Sequence, residues 1–312
     1  MALLTGRLGY THKPSRRALE NRLALRWYER VRRIYRLRGA QRGAFDFGPV
    51  MLTSGDIFGF RWRDETLEAV DTLLVYPKVV PVWRWRLPSG RPLGELLARR
   101  RVVEDPLRFA GVRDYVPGDN PRHIHWKNSA RWRQLQTRVF DPEANQAAVL
   151  VVDVQTSNRG AYWVVPAYLE LVISAAASIA LYLLVQRQAV GLYVNGVSHG
   201  RQGLARVPVS RDPAQPARML EALARLTSFL IVPGEHLLQG SARAFPWGAT
   251  VIVLSARAER PLQAALLHIR ESGHPVVLLT AGETPTPALA GLEVHHLGGQ
   301  DAWDNLAALE LA

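Results

Sequence analysis

The first group of residues that could do chemistry is an acid followed by polar side chains. Asp153 closes a continuously apolar segment, and Gln155 and Ser157 follow it at the second and fourth positions. A loop with oxygen ligands at this spacing can bind Mg²⁺ directly while water fills the remaining ligand positions. The other interpretation is a structural aspartate in a turn, and the residues alone leave both open.

The densest group of charged and aromatic residues lies within residues 111–131. We take the following members as a candidate protein-interaction site: Arg113, Asp114, Tyr115, Gly118, Asp119, Arg122, Trp126 and Arg131. The arginines can either hold the aspartates in a fixed network or bind an acidic partner. An Asn-Pro pair at 120–121 predicts the start of a short helix that runs through Trp126.

Other catalytic and metal-binding patterns are weak. Ser198 lies between Gly196 and Gly200 as in the nucleophile elbow of hydrolases, but the tip of a hairpin explains both glycines without catalysis. His123 and His125 could bind a metal together only on a strand, because side chains two positions apart diverge on a helix. The sequence has no cysteine and no glycine-rich phosphate-binding loop, which excludes thiolate metal sites, thiol nucleophiles and the common nucleotide-binding loops. We therefore expect a protein that is not an enzyme.

Apolar segments alternate with amphipathic ones beyond residue 146, which predicts an α/β fold with a mainly parallel sheet covered by helices. The predicted strands are 147–155, 189–195, 204–209, 250–255, 275–280 and 293–297. The predicted helices are 165–186, 213–229, 261–271 and 301–311. Ligands of such sheets bind where strands end, so we expect the turn after residue 152 to form an exposed docking rim.

The part of the chain before this α/β region has a different pattern of apolar and turn-forming residues. Residues 34–81 carry short strand-like segments with glycine and proline turn signals, which predicts a small β-rich domain. We place a basic arm at 1–33, the β-rich domain at 34–87, a linker at 88–104 and the α/β domain at 105–312.

The net charge of +12 is concentrated near the N-terminus, where residues 1–43 hold 12 of the 39 Lys and Arg residues against two acidic residues. Such a basic arm could bind nucleic acid or an anionic membrane surface, or it could be a solvated tail. Apolar residues from Leu19 to Ile34 recur at nearly helical spacing, but their aromatic neighbours suit strands as well, so the conformation stays open. The longest apolar run, 171–185, is shorter than the ~20 residues that cross a bilayer, so we expect a buried helix and a cytoplasmic protein.

The segments around residues 113–131 resemble the core of a bacterial family. Arg113-Asp-Tyr115, Pro117-Gly-Asp119, Arg122-His-Ile-His-Trp126 and Ala130-Arg131, continuing from Leu135 to Phe140, resemble the bacterial domain of unknown function family fifty-eight. Members of that family are similar to von Willebrand factor A domains, which implies a mostly parallel sheet covered by helices. The resemblance covers most of the chain from about residue 34 onward.

The resemblance also implies a degenerate form of a metal-ion-dependent adhesion site. Asp153 matches the acid of the Asp-x-Ser-x-Ser motif and Ser157 its second serine, whereas Gln155 replaces the first serine. Ala256 stands where the acid of a later strand is expected. With one carboxylate, the site is expected to bind Mg²⁺ weakly at most.

Members of the family are often encoded beside MoxR-type AAA+ ATPases, which implies an adaptor or chaperone-type role with such a motor. Many members begin with membrane-spanning helices, and the basic start of this chain resembles the segment that follows them, at the inner face of the membrane. We therefore expect a non-enzymatic protein-interaction module that partners a MoxR-type ATPase and binds no specific nucleic acid. The alternative is a protein that binds nucleic acid or an anionic membrane surface through residues 1–43.

Overall fold

The protein forms two compact units, Met1–Ala40 and Gln41–Ala312. The computed structural model describes residues 7–10, 17–56, 58, 60–83, 85, 109–116, 121–140, 147–157, 163–200, 202–289 and 291–311. The expected linker at 88–104 lies outside the described residues. The four segments of the sequence analysis and the three boundaries between them stay predictions.

In the first unit, β1 (Arg7–Tyr10) pairs antiparallel with β2 (Arg17–Glu20), and the described residues that follow contain no helix. A tight turn interrupts the apolar spacing there. The Glu29 amide donates to the Arg26 carbonyl, the Arg26 amide donates to the Glu29 carboxylate, and Tyr28 has a φ of 61°. Neither of the two open alternatives forms here: residues 21–40 contain no helix and no strand, and a helix would need uninterrupted right-handed backbone through this turn.

The second unit is built around a seven-stranded, mostly parallel sheet. Its parallel strands follow the spatial order β11 (Ala189–Ser198), β10 (Ala147–Val152), β14 (Thr250–Ser255), β15 (Val276–Ala281) and β16 (Glu293–Gly298). Two more strands pair antiparallel with β11, and these are β12 (Leu204–Ser210) and β13 (Leu226–Leu230). The predicted α/β class with a mainly parallel sheet is confirmed.

Helices cover both faces of this sheet. The helices of the unit are α1 (Trp126–Trp132), α2 (Pro166–Val185), α3 (Gln215–Ala224), α4 (Gly234–Ser241), α5 (Arg260–Glu271) and α6 (Gln300–Asp304). Leu150 of β10 packs in a core with α2 and α3, whereas its neighbours Val149 and Val151 pack in a second core with α4 and α5. Because side chains alternate along a strand, β10 supplies both cores, which explains its continuous run of apolar residues.

Helix α2 is apolar on most sides because the sheet and the segment 80–85 both cover it. The Val80 amide donates to the Ser178 hydroxyl at 3.0 Å, and the Tyr182 hydroxyl donates to the Trp85 carbonyl at 2.9 Å. Among the described residues, α2 is the one helix long and apolar enough to cross a membrane, and 67% of its most apolar stretch is buried inside the protein. The expected buried helix is confirmed.

Two predicted helices are shorter than expected. Residues 213–229 form α3 only as far as Ala224, because the Thr-Ser-Phe segment that follows has strand propensity and pairs with β11 as β13. Residues 301–311 form α6 and then β17 (Leu309–Glu310), whose leucine is buried in the core and whose backbone pairs with β7 (Val82–Trp83). Helix α4 was not predicted.

The β-rich region contains two antiparallel pairs, as its sequence pattern indicates. These are β3 (Gly43–Phe47) with β6 (Asp71–Val75), and β4 (Val50–Gly55) with β5 (Trp62–Leu67). Arg42, which the sequence analysis counted in the basic stretch 1–43, lies just before β3 with its side chain 6% exposed and pairs with Glu170 of α2 at 2.8 Å. Its charge is therefore neutralised by Glu170 inside the second unit and is not available to bind a phosphate group.

Candidate functional site

The acid selected from the sequence lies where the chain changes direction across the sheet. From β10 the chain passes to β11 on one side, and it later enters β14 on the other side. Ligands of open parallel sheets bind in the crevice at such a point, outside the carboxyl ends of the strands. Asp153 follows β10 and Ser255 closes β14, so both residues lie at this point.

Asp153 is buried there, with 1% of its surface exposed. Its Oδ1 accepts hydrogen bonds from the Gln155 amide at 2.9 Å and from the Asn195 side chain at 2.6 Å. Its Oδ2 accepts a hydrogen bond from the Ser255 hydroxyl at 2.8 Å. The expectation that this turn forms an exposed docking rim is therefore wrong, because neighbouring elements close over the carboxylate and replace the water that would otherwise solvate it.

Two residues from distant parts of the chain close the site. Helix α4 begins at Gly234, where an added Cβ would lie only 3.2 Å from Asp153 Oδ2. Asn195 of β11 donates to Asp153 and accepts a hydrogen bond from the Val154 amide at 2.8 Å. The sequence analysis named neither residue. Asn195 ends the predicted strand 189–195, so the same strand-end argument that selected Asp153 could have found it.

Arg257 brings a positive charge to the site. Its side chain is 9% exposed, its Nε lies 4.0 Å from Asp153 Oδ2, and its backbone amide donates to the Ser255 hydroxyl at 3.0 Å. Burial raises the pKa of Asp153 above its ordinary value. The hydrogen bonds from Asn195, Gln155 and Ser255 and the charge of Arg257 act in the opposite direction and lower that pKa.

Two of the three expected Mg²⁺ ligands, Asp153 and Gln155, already form hydrogen bonds within the protein. Both oxygens of Asp153 already accept hydrogen bonds, and the Gln155 side chain donates to the Ser157 carbonyl at 3.3 Å. Within the described ranges, no group of three or more His, Asp or Glu side chains could hold a metal ion. The residues present at this point of the sheet do not fit the ion.

The second candidate site is a hairpin that carries a helix, which we call the motif unit and define as residues 109–116 and 121–140. Its strands β8 (Phe109–Asp114) and β9 (Gln136–Phe140) pair antiparallel, and α1 lies between them in the chain. A helical turn starts at Pro121 as expected, but the expectation that it runs through Trp126 is wrong. A single 3-10 turn (Pro121–His123) precedes α1, which begins at Trp126, because His125 caps the new helix.

His125 and Ser129 attach α1 to the hairpin. The Asn128 amide donates to His125 Nδ1 at 3.1 Å, so the imidazole is the N-cap of the helix. The buried Ser129 hydroxyl donates to the His125 carbonyl at 3.0 Å and accepts from the Gln136 amide of β9 at 2.9 Å. These bonds fix the orientation of the helix, and they give His125 a structural role where the sequence had also allowed a metal ligand.

The predicted interaction residues lie mainly on the surface of the motif unit. The exposed ones are Arg113, Asp114, Trp126 and Arg131, and Tyr115 is half-buried. Gly118, Asp119 and the side chain of Arg122 lie outside the described residues. The surface also exposes three residues that the sequence analysis did not select, Lys127, Trp132 and Arg133. An exposed tryptophan has no periodic signature of its own, so Trp132 could only be found from the structure.

In the described part of the chain, the basic side chains on and just after α1 are not held in the fixed network that the sequence had left open. Asp114 accepts a hydrogen bond from the Gln136 side chain, and Arg113 donates to the Asp114 carbonyl at 3.0 Å. In the part of the chain that the structure describes, Lys127, Arg131 and Arg133 form no ion pair. Their charges are therefore available to an acidic partner.

The weak nucleophile pattern at Ser198 is the end of a hairpin, as the sequence analysis proposed. Ser198 closes β11, and the chain turns back through Gly200 into the antiparallel strand β12. Its side chain is buried, and Thr227 of β13 donates to the neighbouring Val197 carbonyl at 2.9 Å. The turn explains Gly200, which has a φ of 73°, and close packing explains Gly196 inside β11, where an added Cβ would lie 2.8 Å from a Val154 methyl group.

A protein-family match covers the motif unit together with the strands and helices that follow it as far as α5. Residues 111–269 match the family described as Protein of unknown function DUF58. The chain is also 28% identical over 177 residues to the uncharacterized protein YeaD of Bacillus subtilis (strain 168), an alignment that covers 56% of this chain and 42% of YeaD. This chain therefore spans about two fifths of the length of that relative. Because the family match extends over half of its residues, from the motif unit through most of the parallel sheet, the chain belongs to the DUF58 family.

Proposed function

We propose that this chain is a non-enzymatic protein-interaction module that docks its partner on α1 of the motif unit. The observation that carries the proposal is a pair of tryptophans on a short, fixed helix. Trp126 and Trp132 are 67% and 70% exposed, and Lys127, Arg131 and Arg133 surround them with positive charge.

Such a surface has the composition of a binding hot spot. Tryptophan and arginine are enriched among the residues whose truncation weakens protein complexes most, because tryptophan buries a large rigid area and arginine donates several hydrogen bonds from one planar group. The helix is already fixed by His125 and Ser129, so a partner need not order it. Lys127, Arg131 and Arg133 form no ion pair with the described residues, and their charges favour a partner whose docking surface is acidic.

The partner we propose is a MoxR-type AAA+ ATPase, for which this chain would be an adaptor or chaperone-type subunit. The resemblance of residues 113–131 to a family encoded beside such motors supports this partner. The mostly parallel sheet covered by helices supports a von Willebrand factor A-like fold as the scaffold. The closed environment of Asp153 favours docking on α1 over docking through a metal bound at the sheet.

Binding of the purified chain to the MoxR-type ATPase of the same organism, measured by calorimetry, tests this proposal. We expect the double variant Trp126→Ala and Arg131→Ala to lose at least about tenfold in affinity, because both side chains would be removed from the centre of the interface. The matched control is Trp247→Ala with Arg243→Ala, an equally exposed pair that lies before β14. Equal affinity of the two double variants, or no binding by the parent chain, contradicts the proposal.

A second candidate function is binding to an anionic membrane surface through the first unit, and the exposure of its aromatic residues favours it. Trp27 is 93% exposed, Tyr28 is fully exposed and Ile34 is 80% exposed, and they lie among exposed arginines such as Arg26 and Arg30. Aromatic rings insert at the headgroup level, while arginines are attracted to anionic lipids. This would place the protein in the cytoplasm, at the inner face of the membrane.

Sedimentation with vesicles that contain or lack phosphatidylserine tests the second candidate. We expect binding to the anionic vesicles that falls with added salt and that is weakened by Trp27→Ala with Tyr28→Ala, but not by Trp247→Ala. Binding to duplex DNA in place of the vesicles would favour the nucleic-acid alternative. Binding to neither would leave the arm as a solvated tail.

A further inference from the structure

We infer that Arg257 is a built-in counter-cation for Asp153, so that the strand-end site of this chain works without a bound metal. The inference concerns the isolated protein and does not depend on the proposed partner.

The first step is the need for a positive charge. Asp153 has 1% of its surface exposed, and a carboxylate that leaves water is stable only when donors and an opposite charge replace the solvent. Asn195, Ser255 and the Gln155 amide supply three donors, but all three are neutral. Among the described residues, Arg257 supplies the positive charge that offsets part of this burial, with its Nε 4.0 Å from Asp153 Oδ2.

The second step is that the guanidinium occupies the space a cation would need. Arg257 is 4.0 Å from Asp153, 4.0 Å from Glu235 and 3.1 Å from Glu259, so one cation faces three carboxylates. A Mg²⁺ ion bound to Asp153 would lie within a few ångströms of this guanidinium, and two like charges at about 4 Å repel strongly in a buried site.

The third step is that the backbone positions both charges together. The Ser255 hydroxyl donates to Asp153 and accepts from the Arg257 amide, so one side chain at the end of β14 orients the anion and the cation. Arg257 Nε and Glu235 Oε2 are buried without a hydrogen-bond partner among the described residues. The guanidinium is therefore held by its hydrogen bond to Glu259 and by charge attraction to Asp153 and Glu235.

Thermal unfolding of the full chain by circular dichroism tests the inference in two arms. In the first arm, we expect the Tm of the wild-type chain to change by less than about 1 °C between EDTA and about 10 mM MgCl₂, because no metal binds the native state. A rise of several degrees that disappears in Asp153→Asn would show a metal at this carboxylate and overturn the inference.

The second arm separates charge from packing. We expect Arg257→Met, which keeps length but removes charge, to lower the Tm by at least about 5 °C more than Arg257→Lys, which keeps the charge. The control pair is Arg218→Met and Arg218→Lys, because Arg218 pairs with Asp212 at 3.3 Å with its side chain 54% exposed, and these two should differ little. Equal Tm values for Arg257→Met and Arg257→Lys would overturn the inference. If Arg257→Met does not fold while Arg257→Lys does, charge is required and the inference is supported.

Discussion

Removal of the guanidinium of Arg42 is the sharpest test of how the β-rich region is attached to the sheet. The side chain is 6% exposed, and its Nη2 donates to Glu170 of α2 at 2.8 Å. Its Nη1 donates to the Leu223 carbonyl at 2.9 Å and to the Leu226 carbonyl at 2.7 Å, at the end of α3. One side chain therefore joins the residue before β3 to two helices.

The cost of Arg42→Met can be worked from these contacts. Removal of one partner from a buried ion pair costs about 3–5 kcal/mol, because the remaining charge is left without compensation. Glu170 is 26% exposed and can recover part of its hydration, which lowers this figure. The two carbonyls lose a charged donor, and each loss costs up to about 1.5–3 kcal/mol, although these values are not additive. We expect a decrease of about 3 kcal/mol in the free energy of unfolding.

Urea unfolding followed by circular dichroism measures this decrease. The control is Arg225→Met, because Arg225 pairs with Glu221 at 3.0 Å on one helical turn in a partly exposed site, and its loss should cost less than about 1 kcal/mol. Arg42→Lys should fall between the two, since lysine keeps the charge but not the planar fork that reaches a carboxylate and two carbonyls. A cost below about 1 kcal/mol for Arg42→Met, equal to that of the control, would refute this account of the attachment.

Three further predictions concern Asp153 and the helices α4 and α2. Gly234→Ala should destabilise the protein by about 1–2 kcal/mol in urea titrations, because the added Cβ would lie 3.2 Å from Asp153 Oδ2. Gly240→Ala in the same helix should stabilise the protein by about 0.5–1 kcal/mol, because its Cβ would meet no described atom within 4 Å. The opposite order of the two variants would contradict this packing. Burial raises the folded-state pKa of Asp153 above the unfolded-state value of 3.8, so the contribution of this residue to stability is complete below that value and is lost as the pH rises through the raised pKa. The loss of stability caused by Asp153→Asn should therefore shrink as the pH rises from about 4 to about 8. A loss that grows over this range would contradict the direction of the pKa shift. In scanning calorimetry, Ser178→Ala should cost about 1–2 kcal/mol because the buried Val80 amide loses its acceptor. Ser174→Ala should be neutral or stabilising, because the Ser174 hydroxyl has no hydrogen-bond partner among the described residues.

Much of the sheet could be predicted because its strands are continuous in sequence and buried on both faces. The strand 250–255 was predicted with its observed bounds, and the helix 165–186 differs from α2 by one residue at each end. The errors lie where tertiary contacts outweigh local preference. Residues 226–230 form a strand, and not the end of the predicted helix, because they pair with the edge of β11. Leu309 lies outside the predicted terminal helix because it is buried in the core and pairs with β7.

The candidate site shows the same division. Strand-end reasoning found Asp153, and motif composition found Arg113, Trp126 and Arg131, because both arguments use residues that are close in sequence. The burial of Asp153 could not be predicted, since it depends on Gly234 and Arg257, which only the folded sheet brings beside it.

The amino-acid sequence by itself determined the class of the fold, the buried character of the 171–185 segment and the membership in the DUF58 family, because periodicity and motif spacing are local properties. Only the tertiary structure decided which charges face solvent. It buried Arg42 and Asp153 and exposed Trp132, because burial depends on which distant elements pack over a residue and not on the residue or its neighbours in the chain.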